Sequence, residues 1–108
     1  MDKISFDEFK KADIRIGTIK IAEKVENTDK LLRLEVEFGD EVRQIVSGIA
    51  QYYQPEEIIG KQCPFVYNLE PRTICGVESN GMILGIVGEV GFVALSPLKE
   101  VSSGSSVG

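Results

Sequence analysis

Apolar and polar positions alternate most strictly between Leu32 and Phe38. Leu32, Leu34, Val36 and Phe38 fall on one side of the register, and Arg33, Glu35 and Glu37 on the other. A period of two predicts a strand with one buried and one wetted face. Gly39-Asp40 predicts the turn that follows, and Val42 to Ser47 its hairpin partner. Nearer the start, Ile14 and Ile16 alternate with Arg15. After Gly17 the phase slips, so that Ile19 and Ile21 alternate with Lys20. A one-residue slip at a glycine predicts a β-bulge there, which would bend one long strand across two faces of a small barrel. Cys63 to Asn68 reads as a fourth strand and Met82 to Val87 as a fifth, turned at Gly88-Glu89-Val90-Gly91 into Phe92 to Leu95.

Two short helical signals interrupt this pattern. Ser5-Phe6-Asp7-Glu8 is a capping box, flanked by Ile4 and Phe9 as a candidate hydrophobic staple, which predicts a helix from Ser5 to Lys11. Its apolar side is too small to be a core, so it must dock on its own barrel or on another subunit. Pro55-Glu56-Glu57-Ile58-Ile59-Gly60 has Pro at its start, acids in its first turn and Gly at its end, which predicts a helical turn. The tail from Val101 to Val107 is rich in Ser and Gly. It has a linker's composition, although Val101 and Val107 suggest that it is partly pinned down. Five principal strands, a bulged first strand, and a helix between the third and fourth predict an all-β, five-stranded oligonucleotide/oligosaccharide-binding (OB) barrel. An SH3-like barrel is the rival, but it would not carry that helix.

Composition narrows the chemistry. The chain has 108 residues, which predicts a single domain spanning 1–108, and 43% are hydrophobic, enough for a packed core. No apolar stretch is long enough to span a membrane, and the N-terminal MDKISFDEF has no secretory h-region, so a cytoplasmic location is expected. Histidine is absent, which removes the commonest general base and the commonest metal ligand together. Cys63 and Cys75 lack zinc spacing and are expected to be buried, unpaired thiols. With no catalytic set and no P-loop, neither an enzymatic activity nor a cofactor or metal is expected. The net charge of −5 (17 acidic, 12 basic) argues against nonspecific polyanion binding, yet a local basic face remains open through Lys30, Arg33, Arg43, Lys61 and Arg72.

The segment Asn68 to Leu84, NLEPRTICGVESNGMIL, packs turn residues and short polar groups between two apolar strands. That composition predicts a shaped loop on the mouth of the barrel rather than a connector.

Six motifs in order carry a resemblance over nearly the whole chain. They are Asp13-Ile-Arg-Ile-Gly17, Asp29-Lys-Leu-Leu32, Arg43-Gln-Ile-Val-Ser-Gly-Ile-Ala50, Pro55-Glu-Glu-Ile-Ile-Gly-Lys61, Asn68-Leu-Glu-Pro-Arg72 and Gly76-Val-Glu-Ser-Asn-Gly-Met82. With these the chain resembles the dimeric tRNA-binding domain family. That family includes the C-terminal domain or free beta subunit of methionyl-tRNA synthetase, stand-alone structure-specific tRNA-binding proteins, and CsaA-type export chaperones. Many relatives carry a His-Pro pair before the Asp-Lys-Leu motif, and Val25-Glu26 stands there instead. The loop Glu26-Asn27-Thr28 is therefore expected to meet RNA differently or not at all.

The resemblance implies a non-catalytic tRNA-binding protein that reads tRNA by shape, as an auxiliary beta subunit sharing the name of a methionyl-tRNA synthetase catalytic subunit. The alternative it leaves open is a CsaA-like chaperone for unfolded polypeptides. Either implies a homodimer formed through Ile4, Phe6, Phe9 and residues after Phe92. The candidate tRNA contacts are Lys30, Arg33, Arg43, Asn68, Arg72, Ser79, Asn80 and Met82. The cations would meet phosphates, Arg72 could also stack on a base, and Asn and Ser could bond base edges or 2′-hydroxyls. The competing readings are strand-face ion pairs with Glu35 or Glu37 for the cations, local backbone bonding for Asn and Ser, and a core position for Met82. Gln44 and Ser47 are more plausibly structural, and Tyr52 and Tyr53 are expected to cap the barrel end.

Overall fold

The computed structural model describes all residues 1–108. In chain order the elements are α1 (Phe6–Phe9), β1 (Ile14–Lys24), β2 (Leu32–Glu37), β3 (Val42–Ser47), α2 (Pro55–Ile58), β4 (Gln62–Val66), β5 (Arg72–Ile74), β6 (Val77–Ser79), β7 (Met82–Ile83), β8 (Gly85–Gly88), β9 (Gly91–Ala94) and β10 (Ser106–Val107). The main sheet runs β3-β2-β1-β4-β7, with β10 added on β1. The long β1 pairs with β4 along Ile14–Thr18 and with β2 along Thr18–Lys24. One strand thus serves both halves of a curled sheet, as an OB-like barrel requires.

Alternation in β2 holds as the sequence predicts. Leu32, Leu34 and Val36 are fully buried, and the core grows around them from Ile19, Ile45 and Phe65. The bulge does not fall at Gly17. Pairing of β1 with β4 runs straight through that residue, and the register slips between Ile19 and Ile21, leaving Lys20 as the extra residue against β2. Gly17 is small for another reason: a Cβ there would lie 2.4 Å from Val36 Cγ1 and 2.7 Å from Phe38 Cε1. The core therefore takes Gly17, Ile19 and Ala22 from β1, while Ile21 is exposed.

The tail is part of the barrel. β10 takes the stretch of β1's edge that β2 leaves free, pairing Ile14 with Val107 and Arg15 with Ser106. The Gln62 side chain donates to the Val101 carbonyl at 2.7 Å and accepts from its N–H at 3.0 Å, and the hydroxyls of Thr18 and Ser103 lie 2.6 Å apart. The serines that gave the tail a linker's composition are hydrogen-bonding groups here.

Both helices are single turns. In α1 the capping box forms, with reciprocal Ser5–Glu8 bonds of 3.1 Å, but none of its residues is buried. In α2, Ile58 plugs the core, and the chain leaves through Gly60 at φ 86°, whose N–H bonds to Ile19 O at 2.7 Å.

The fifth strand is shorter than predicted. β7 ends at Ile83, Leu84 donates to Pro64 O at 3.0 Å, and β8 pairs with β9 as a separate hairpin. Its tip leaves Val87 and Val90 largely exposed. Tyr52 and Tyr53 lie after β3, outside any strand. Tyr53 accepts a bond from Ala94 N at 3.0 Å and packs on the core, while Tyr52 lies against Gly91, so the pair fastens this second hairpin.

Candidate nucleic-acid interface

The segment Asn68–Leu84 contains a hairpin that its composition did not announce. β5 and β6 pair Arg72 with Ser79 and Ile74 with Val77. They turn through Cys75 at φ 49° and Gly76 at φ 81°. Two consecutive positive φ values make the primed two-residue turn whose twist suits a hairpin. Cys75 is therefore exposed, against the expectation of burial, while Cys63 is buried as expected and both thiols are free. Burial alone pushes the Cys63 thiol up to about 11.

The end of the same segment closes the barrel. Ser79 is 2% exposed. Its hydroxyl accepts from Val46 N at 2.9 Å and donates to Gly81 O at 3.1 Å, and Asn80 N donates to Gln44 O at 2.8 Å. These bonds join β3 to the approach of β7 without a regular ladder between them. The start of the segment serves another region. Asn68 Oδ1 accepts from Asp13 N at 2.8 Å and Nδ2 donates to Lys11 O at 2.7 Å, tying the N-terminal segment to the end of β4.

The β5–β6 hairpin overhangs a cleft of about 360 Å³ lined by Glu23, Lys24, Val25, Glu26, Arg33 and Val77. This lies between the loop after β1 and the loop before the last barrel strand, beside β2, where OB barrels take their ligands. At its floor Arg33 donates to Glu23 at 2.7 Å, to Glu35 at 2.9 Å and to Gln44 Oε1 at 3.0 Å. Gln44 in turn donates to Glu78 O at 2.7 Å, fastening the hairpin above. The bond to Glu23, aided by Glu35, raises the Arg33 pKa further.

Arg43 lies elsewhere. Its guanidinium sits 3.5 Å from the centroid of the Tyr67 ring and pairs with Glu41, and Arg15, bonded to Asp13, lies 3.9 Å from the same centroid. Tyr67 donates to Glu41; with Arg43's help this holds the Glu41 carboxyl below its ordinary range and pushes the phenol up. The ring also stands edge-on to Phe38, so this cluster ends the barrel interior.

Among the eight sequence candidates, Lys30, Arg72 and Met82 are exposed, and Lys30 and Arg72 make no ion pair. The Asn80 side chain is half-buried and makes no hydrogen bond within the chain. Arg33, Arg43, Asn68 and Ser79 have their polar groups engaged internally. Lys24, on the cleft wall and without an ion pair, was not singled out from the sequence. Its place just before the loop Val25–Leu31 was the available signal.

An OB-like barrel with a cleft at this position defines a class of oligomer-binding modules. The chain belongs to the family described as "Putative tRNA binding domain", whose profile matches residues 14–106. Methionine--tRNA ligase of Caldanaerobacter subterraneus is 45% identical over 107 residues, covering 99% of this chain and 17% of that protein. The same ligase of Bacteroides fragilis is 50% identical over 105 residues, covering 96% of this chain and 16% of its own length. The chain thus spans about a sixth of these relatives. A methionyl-tRNA-synthetase-related protein from Pyrococcus horikoshii superposes with a TM-score of 0.94 at 42% identity, covering 99% of both chains. The chaperone CsaA of Bacillus anthracis superposes with a TM-score of 0.90 at 33% identity, covering 99% of this chain and 100% of that one. No helix is long and apolar enough to cross a membrane.

Proposed function

We propose that this chain is a non-catalytic, cytoplasmic module that holds tRNA by its folded shape, working as an auxiliary subunit of a methionyl-tRNA synthetase. The observation that carries the reading is the cleft under the β5–β6 hairpin, placed where OB barrels bind oligomers, in a chain whose family is a tRNA-binding one. Lys30 and Arg72 are the unpaired cations offered to phosphates, with Asn80 supplying hydrogen bonds and Met82 an apolar contact. So few contacts, without a paired base-reading array, favour recognition of shape over sequence. A second attachment point of this kind raises a partner enzyme's effective affinity for its substrate.

The chain acts as a homodimer in this reading. Phe6 is 71% exposed and Ile4 64%, and with Phe9 they form apolar surface that needs a cover. Residues after Phe92, including the fully exposed Leu98, add to it. The likeness to CsaA supports a second reading, in which such apolar surface takes unfolded polypeptide.

A titration decides between them, with total tRNA, an unstructured RNA of equal length and an unfolded polypeptide as ligands. Preference for folded tRNA, weakening by roughly one to two decades from 50 to 200 mM salt and reduced by Asn80→Ala, is the expected result. Salt-insensitive binding of the polypeptide alone would establish the chaperone reading instead.

A further inference from the structure

Arg33 lines the cleft, yet its guanidinium is occupied by Glu23 at 2.7 Å, Glu35 at 2.9 Å and Gln44 at 3.0 Å. We propose that Glu23 and Glu35 are specificity-determining residues that hold Arg33 back from single phosphates, so that only a ligand of fixed shape, making several contacts at once, gains it.

The inference rests on the tRNA-binding reading above and adds a selection rule to it. A phosphate reaching Arg33 must displace two carboxylates, and it meets the further negative charge of Glu26 on the same wall. A flexible strand that offers one phosphate at a time loses that exchange. Folded RNA that reaches Lys24 on the cleft lining and exposed cations elsewhere on the surface, such as Lys30 and Arg72, in the same encounter offsets it, because the cost is met once and the contacts are summed. Specificity of this kind comes from what the site repels as much as from what it attracts.

Geometry favours competition over permanent burial. The Arg33 side chain keeps 22% of its surface exposed and the Glu23 side chain 56%, so the pair can open to solvent. Pairs this exposed are weak, so the effect is a few-fold change rather than an all-or-none gate. Gln44 gives the arrangement its rigidity. It accepts from Arg33 and donates to Glu78 O, so the hairpin that carries Arg72 stays fixed while the carboxylates exchange.

The test compares wild type with Glu23→Gln, Glu35→Gln and Glu26→Gln, titrating polyuridylate and total tRNA at several salt concentrations. Glu26→Gln is the control for charge, because it removes the same charge from the same wall without touching Arg33. Glu23→Gln should tighten polyuridylate binding about two- to fivefold, and folded tRNA binding less. It should also steepen the log-log salt dependence for polyuridylate by about one. Adding Arg33→Ala to Glu23→Gln should remove that gain. An equal gain from Glu26→Gln, or a gain that survives Arg33→Ala, would mean bulk charge and overturn the selection rule. Wild-type binding of tRNA with no gain in either Arg33-facing variant would overturn only this inference. No wild-type binding of tRNA at all would overturn the tRNA-binding reading and this rule with it.

Discussion

Two grooves on this barrel are built on opposite plans. The cleft under β5–β6 is floored by rigid strands, and the charge at its base is already paired. The larger groove, about 470 Å³, lies between α1 and β10 and is lined by Phe6, Phe9, Ile14 and Val107 with Lys10 and Lys11 beside them. Its helix is a single turn with no buried residue, tied down through the amide of Asn68. An isolated helix that short has almost no stability of its own. The first groove is therefore preorganised by the sheet, while the second has one wall set by the pairing of β1 with β10 and the other, α1, held by the two bonds of Asn68 and whatever covers its rings. One segment of chain supplies both, since Asn68 anchors the apolar groove and Ser79 closes the barrel beside the polar one.

The largest effect should come from the core the two grooves share. Phe65→Ala empties a fully buried position in β4 and should cost about 3–5 kcal/mol by urea unfolding, with both grooves lost together. If one groove's ligand or partner survived in a folded variant, the two would be more independent than their common barrel implies.

Asn68→Ala separates them. Removing both bonds to the N-terminal segment should cost about 1–2 kcal/mol, felt locally. Hydrogen exchange should rise through residues 5–13 while the β5–β6 hairpin stays protected. If the proposed dimer is built on this groove, sedimentation should show it weakened. Equal loss of protection in the hairpin would break the contrast.

Arg72→Ala makes the opposite cut. Arg72 is exposed and without an ion pair, so stability should change by less than about 0.5 kcal/mol. Binding of tRNA should weaken with a salt slope smaller by about one, and the oligomeric state should not change.

The last effect is a titration, silent at neutral pH and confined to alkaline solution. The folded pKa of Cys63 is raised from 9.0 to about 11, so the folded state keeps its proton where the unfolded state has lost it. Stability from this group is intact below pH 9 and declines as pH rises toward about 11. Urea midpoints between pH 8 and about 11 should fall more steeply for wild type than for Cys63→Ala. At neutral pH a thiol reagent should modify Cys75 at once and Cys63 only on unfolding.

What was legible in the sequence and what was not divide by how local the cause is. The period of two in β2, the Gly39 turn and the capping box of α1 depend on neighbours within a few residues, and all appear as read. The bulge was misplaced because Gly17 has two explanations in sequence, backbone freedom and lack of a side chain. Only the approach of Val36 and Phe38 selects the second. Met82, beginning an apolar strand, read more readily as a core residue than as a contact, but its pairing with Val66 turns it outward and sends Ile83 to the core. The polar groups of Asn68 and Ser79 read as ligand contacts because sequence shows a donor or acceptor without its partner. Their partners lie 55 and 33 residues away.

By itself, then, the sequence determined the strand period, the helix caps, the OB order of elements and the family, because each is written in spacing along the chain. The tertiary structure alone decided which cations stay free. Arg33 and Arg43 carry the same formal charge as Lys30 and Arg72, but the pairing of β1, β2 and β3 brings Glu23 and Gln44 to Arg33, and the chain after β4 brings the Tyr67 ring to Arg43, beside the nearby Glu35 and Glu41. A charge becomes available to a ligand when folding leaves it no closer partner, and that is a property of distance through space, which a chain read end to end does not contain.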